Sequence, residues 1–151
     1  MSALNLARNK KAYHEYEILE KLEAGIQLVG TEVKSCRDHN VNLTDGYARI
    51  IDGELWLCNI HIAHYKQGNR YNHEVRRNRR LLIHKRELRR LQQATEAKGL
   101  TLVPLSMYLK GQKIKVELGL CRGKSKHDKR ETIKRRLHEE EARRAIASAH
   151  R

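Results

Sequence analysis

The stretch from Arg122 to Arg136, RGKSKHDKRETIKRR, sets the limit on how this chain folds. It follows a strand-like alternation and opens a helical pattern with almost no apolar face, so burial cannot stabilise it. A packed core must be completed by the residues before it, and the segment itself asks for a polyanionic partner. At 151 residues the chain is the size of one domain plus a tail. The division expected is a body over 1–122, with a basic N-terminal arm over 1–12, and a basic tail over 123–151.

The whole chain shares the bias of its tail: 32 lysines and arginines against 18 acids give a formal net charge of +14. Such a charge opposes compaction and concentrates anions, which makes RNA, DNA or an anionic membrane surface the partner class. No run reaches the length of a membrane span, and MSALNLARNKK lacks the apolar segment of a signal peptide. A cytoplasmic protein is expected. Cys36, Cys58 and Cys121 are widely spaced and form no C-x-x-C pair, which suits small core residues in a reducing compartment.

From His14 to Leu28 apolar residues fall on even positions, the period of a strand, with Gly25 suggesting a bulge. Gly30 to Arg37 reads as a short helix with Thr31 as cap. Gly46–Ile51 and Glu54–Ile62 flank Asp52-Gly53, the dipeptide of a two-residue hairpin. His64 to Arg80 has no hydrophobic period and reads as a long loop, followed by a short strand over 81–84. Lys85 to Lys98 predicts a helix stopped by Gly99, and Leu100–Lys110 a strand in which Pro104 requires an edge or a bulge. Lys113 to Cys121 alternates as a half-buried antiparallel strand. About six strands with two inserted helices imply a mainly β fold, a small closed or nearly closed antiparallel barrel. Beyond it Asp128, with Glu131 three residues on, reads as the start of a tail helix.

Chemistry-bearing motifs fail on spacing. Gly119 to Ser125 resembles a phosphate loop but has three residues between its glycines rather than four. His73-Glu74 begins a zinc-protease motif that ends on Arg77 where a second histidine is needed. Cys58 and His61 would point to opposite faces of a strand, which makes a shared metal awkward. No catalytic residue, metal or cofactor is predicted. Glu32, beside Lys34, Ser35 and Arg37, has the mixture that accepts hydrogens from base or ribose while cations hold phosphates. Against this stands a plain solvated helix acid. Basic clusters at Arg8–Lys11, Arg76–Arg80, Lys85–Arg90 and through the tail, interspersed with Tyr13, Tyr65, Tyr71 and His127, favour RNA. A membrane is disfavoured because the tail has no aromatic or leucine-rich face.

Four segments, NKKAYHEYEILEKLEAGIQLVGTEVKS, DGYARIIDGELWL, RRLLIHKREL and GKSKHDKRETIKRR, together resemble the SmpB (small protein B) family across nearly the whole chain. The resemblance implies an OB-like β-barrel and a non-enzymatic adaptor of trans-translation. It would bind the tRNA-like domain of transfer-messenger RNA (tmRNA) through Glu32, Lys34, Leu82, His84 and Lys124. Elongation factor Tu with GTP would deliver the complex to a stalled 70S ribosome, where the nascent chain is tagged for degradation. The tail would then meet small-subunit rRNA in the decoding centre and vacant mRNA channel through Gly123, Lys124, Lys126, His127, Asp128, Lys129, Arg130, Ile133, Lys134, Arg135 and Arg136. A helix of about 20 residues would span on the order of 30 Å of that channel. The chain would act as a monomer. A basic structural protein of the ribosome shares the same composition, and an RNA-processing enzyme is suggested only by the defective motifs.

Overall fold

The computed structural model describes residues 4–123, with backbone alone at 69–71. Nine strands and three α-helices follow one another as β1 (Leu4–Arg8), α1 (Lys10–Glu15), β2 (Tyr16–Ile26), α2 (Gly30–Arg37), β3 (Val41–Asn42), β4 (Tyr47–Ile51), β5 (Glu54–Cys58), β6 (His61–Ile62), β7 (Arg79–Leu82), α3 (Lys85–Lys98), β8 (Thr101–Lys110) and β9 (Lys113–Gly123). The expected tail helix from Asp128 lies outside the described residues.

Six strands form a ring in the order β8-β4-β5-β7-β2-β9, closed by pairing of β9 with β8. Every ring pairing is antiparallel. Closure satisfies the backbone groups that an open sheet would leave at its edges. Leu22, Ala24, Leu55, Leu57, Leu81, Leu102, Met107, Val116 and Leu118 fill the interior. Alternation along β9 decides the inward set: Ile114, Val116, Leu118 and Leu120 are buried, with Lys115 and Glu117 between them.

The hairpin forms where its dipeptide stands. Asp52 (φ 50°) and Gly53 (φ 76°) both take the left-handed conformation, and Ile51 pairs with Glu54 across the turn. Helix α3 occupies the predicted span, ending on Gly99 at φ 63°. Pro104 sits where the register of β8 against β9 slips, so its missing N–H costs no ladder bond.

Other boundaries differ from expectation. Within the supposed arm, the described residues form β1, paired with β8, and the start of α1. Asn9 explains this: its side chain accepts from the Ala12 N–H at 3.1 Å and donates to the Pro104 carbonyl at 2.9 Å. One buried amide thus caps α1 and fastens it to β8. The bulge in β2 falls at Leu19, between Ile18 and Glu20, and not at Gly25. The run over 54–62 is broken at Asn59, whose φ of 58° ends β5 and frees His61–Ile62 to pair with Val41–Asn42. Strand β7 begins two residues early, at Arg79, for a reason given below.

Cys36, Cys58 and Cys121 are buried and unbridged, as the spacing suggested. Burial pushes the Cys36 thiol up to about 12 and that of Cys121 to about 11. Little reactive thiolate exists near neutral pH. Iodoacetamide at pH 8 should therefore label none of the three in the native protein and all three in urea, read by mass spectrometry; native labelling of Cys36 would contradict the packing.

Candidate nucleic-acid interface

Glu32 is the organising residue, though not in the way its sequence context suggests. It is fully buried. One carboxylate oxygen accepts from the Val29 N–H at 2.9 Å, closing the first turn of α2, and from Arg77 at 2.5 Å. The other accepts from Arg79 Nε at 2.6 Å. Burial would raise this carboxyl; Arg77, the Val29 amide and Arg79 outweigh it and hold it below the usual carboxylate range. Glu32 is thus neither a solvated helix acid nor, in this arrangement, an acceptor open to RNA.

Arg79 is buried with its partner and extends the network. Its guanidinium donates to the carbonyls of Ile60 at 3.2 Å, Val75 at 3.0 Å and Glu74 at 3.3 Å. A planar fork with five donors suits one cation to several acceptors. Because Glu32 neutralises it, Arg79 can face inward as the first residue of β7, where sequence alone would place a solvent-exposed arginine.

The same contacts give shape to the expected loop over 64–80. A 3₁₀ turn spans Lys66–Tyr71. The Asn72 amide bridges both backbone groups of Tyr65, at 2.9 and 2.7 Å. His73 is buried, with Nε2 2.9 Å from the Ile62 carbonyl and Nδ1 2.8 Å from the Thr31 hydroxyl. A carbonyl only accepts, so Nε2 donates to Ile62, while Nδ1 and the Thr31 hydroxyl share the second hydrogen bond. Thr31 therefore ties α2 to the loop and does not cap the helix.

Outside this frame lies an exposed surface. Along β7 Arg79 and Leu81 point inward while Arg80 and Leu82 point out, and Leu82 is 45% exposed. Leu82 pairs with Gly25 of β2, which pairs in turn with Lys115 of β9. A Cβ at position 25 would stand 3.3 Å from that of Leu82, so glycine is what lets Leu82 lie so close to β2. Ile26, Leu28, Val33 and Leu82 line a shallow cleft there, with Lys113 and Lys115 along its rim. Neither lysine has an ion-pair partner among the described residues, nor do Lys34, Lys85, Arg86 and Arg89.

Lys34 is exposed and extends over the Tyr65 ring, 5.3 Å from its centroid. His84 is exposed at the N-cap of α3, where its carbonyl accepts from the Leu88 N–H at 2.9 Å. Leu82 and His84 thus share the exit of β7 with the basic first turn of α3. Lys113 and Lys115 were missed as candidates, although their place beside the Gly111-Gln112 turn on the outward positions of β9 is visible in the alternation. Gly123 is the exposed last residue of β9. Lys124, Lys126, His127, Asp128, Lys129, Arg130, Ile133, Lys134, Arg135 and Arg136 lie outside the described residues. Gly119–Gly123 belongs to β9 and is no phosphate loop. Among the described residues no His, Cys, Asp and Glu side chains group as metal ligands, and no helix is long and apolar enough to cross a membrane.

A closed six-stranded barrel whose exposed leucine is surrounded by cations that form no ion pair among the described residues has the form of a basic, OB-like binding module. Residues 6–148 match the family of SmpB proteins, and the chain belongs to that family. It is 60% identical to an SsrA-binding protein of Levilactobacillus brevis, over 87% of this chain and 83% of that one. It is 61% identical to an SsrA-binding protein of Carboxydothermus hydrogenoformans, over 87% of this chain and 88% of the relative. A solved chain described under "tmRNA-SmpB: a journey to the center of the bacterial ribosome" superposes with a TM-score of 0.68 at 51% identity, over 84% of this chain and 93% of its own.

Proposed function

We propose that this protein is the RNA-binding adaptor of trans-translation. It binds tmRNA and brings it to the stalled ribosome, and it performs no chemistry itself. The observation that carries this reading is the outward row Leu82, Gly25 and Lys115 beside an apolar cleft, an apolar contact rimmed by lysines that form no ion pair among the described residues. Single-stranded and loop regions of a folded RNA offer splayed bases to such a leucine and phosphates to such lysines. Membership of the SmpB family and likeness to SsrA-binding proteins support tmRNA as that RNA. In this reading the tRNA-like domain seats on the cleft, Lys34, His84 and Lys124 contact its backbone, and Glu32 acts from behind by holding α2 against the loop that carries Tyr65. The tail from Gly123 enters the decoding centre and mRNA channel. Elongation factor Tu with GTP accompanies the complex, and the protein works in the cytoplasm as a monomer.

The reading is tested by Leu82→Glu. Since Leu82 is 45% exposed, the urea midpoint should stay within error of the parent. Its affinity for tmRNA, measured by filter binding with bulk tRNA as competitor, should fall by about tenfold or more, as expected when a buried contact becomes an unpaired charge against phosphates. Unchanged affinity would remove the cleft from the interface.

A further inference from the structure

The bulge in β2 leaves Leu19 without a strand partner, 47% exposed on the outside of the barrel. Together with α3 it forms a groove of about 730 Å³, lined by Leu19, Ala94, Ala97, Leu100 and Leu120. At the rim Arg90 donates to Glu20 at 2.6 Å and ties α3 to β2. The two alanines keep the helix wall low, which lets a second helix approach closely. Further along α3 stand exposed Arg86 and Arg89, which form no ion pair among the described residues. An apolar trough that leads into a basic flank suits an amphipathic helix with acids at one end.

The chain leaves the barrel next to this groove. Leu120 precedes the last described residue, Gly123, by one turn of the pleat and a half, and Cys121 pairs with Thr101, just after the end of α3 at Lys98. Residues 124–151 continue from there. Their sequence sets Ile133, Leu137 and Glu141 at four-residue spacing, with Glu140 beside the last, so a helix begun at Asp128 carries two apolar side chains and then acid on one face. Laid antiparallel to α3 from its C-terminal end, that face meets Ala97, then Gln93 and Ala94, then Arg89, since each helix advances four residues in about 6 Å. Apolar falls on apolar and acid on base. Residues 124–127 span up to about 14 Å when extended, enough to turn the chain from β9 onto α3.

We infer that in the free protein the chain's own tail occupies this groove, with Ile133 and Leu137 against Leu19 and the alanines of α3, and Glu140 and Glu141 on Arg89 and Arg86. A tail folded back along α3 cannot also extend into a channel, so docking and entry exclude each other. The groove is then a rest position that withholds the tail until RNA takes it. Because the contact is intramolecular, the short tether supplies a high effective concentration and a weak intrinsic affinity suffices. The same weakness releases the tail to a phosphate-lined surface that engages all of its cations together. This rests on the adaptor reading only for what displaces the tail.

The test is NMR of the full chain in dilute solution without RNA. Cross-relaxation is expected from the Ile133 and Leu137 methyls to those of Leu19, Ala94 and Ala97. Amide exchange over 133–141 should be slower by about fivefold or more than in the Leu19→Glu variant. That variant puts a carboxylate in the groove at a position exposed enough to leave the fold intact, and it should abolish contacts of the tail methyls with Ala94 and Ala97. Glu140→Lys/Glu141→Lys leaves the groove untouched and should weaken the same contacts, as should added salt in the parent. Absence of these contacts in the parent, or their survival in Leu19→Glu, would overturn the inference. So would contacts that grow with protein concentration, which would make the occupant a second copy of the chain. No RNA enters these measurements, so their failure would leave the adaptor reading standing, and unchanged tmRNA affinity in Leu82→Glu would leave the docked tail standing.

Discussion

Glu32→Ala should destabilise the protein by roughly 3–5 kcal/mol, because it strands the buried Arg79 without a counter-charge. It also removes the acceptor for the Val29 amide and releases Arg77. Urea unfolding followed by Trp56 fluorescence reads this directly, and a loss under about 1 kcal/mol would mean that the pair is no better than a surface one. RNA capture should fall with stability here, whereas Leu82→Glu should lower affinity alone. The contrast separates a residue that shapes the interface from one that touches RNA.

The same carboxylate predicts a pH dependence. Its folded pKa is depressed, so its contribution is present above the unfolded glutamate value of about 4.3 and lost as pH falls through the folded value. The stability gap between the parent and Glu32→Gln should therefore be widest near neutral pH and narrow below about pH 4. A gap constant from pH 7 to pH 3 would show that the ionised carboxylate is not what the site requires.

Ending the chain after Gly123 should separate binding from rescue. Every described strand and helix lies within 4–123, and Arg122 keeps its 2.6 Å ion pair with Glu17. The shortened protein should fold and bind tmRNA with a loss no greater than about tenfold, reflecting the Lys124 contact and the non-specific contribution of the other tail cations. Tagging of nascent chains on messages without stop codons should disappear. Loss of both properties together would place the tail in tmRNA capture and overturn the division at 122.

Much of this fold was legible because some residues carry their instruction locally. Asp52-Gly53 specifies a hairpin by the sign of φ, Gly99 ends α3 for the same reason, and the alternation of Ile114, Val116, Leu118 and Leu120 assigns one face of β9 to the core. The cationic bias named the partner class without any structure. Where the reading failed, a contact distant in sequence had decided the outcome. Asn9 made a helix of an apparent arm by reaching Pro104, and Arg79 entered the barrel because Glu32, 47 residues earlier, could neutralise it.

The sequence by itself therefore determined most of the barrel strands and helix α3, a mainly β and barrel-like architecture, the charge that selects a polyanion and, through its resemblance, the SmpB family. Only the tertiary structure decided that Glu32 faces inward, that Lys113 and Lys115 join Leu82 at one cleft, and that Leu19 and α3 share one groove. Propensity and period act over a few residues and survive in any context. The burial of a charge and the grouping of a surface depend on which distant side chains are brought within a few ångströms, and strand register together with helix packing settles that.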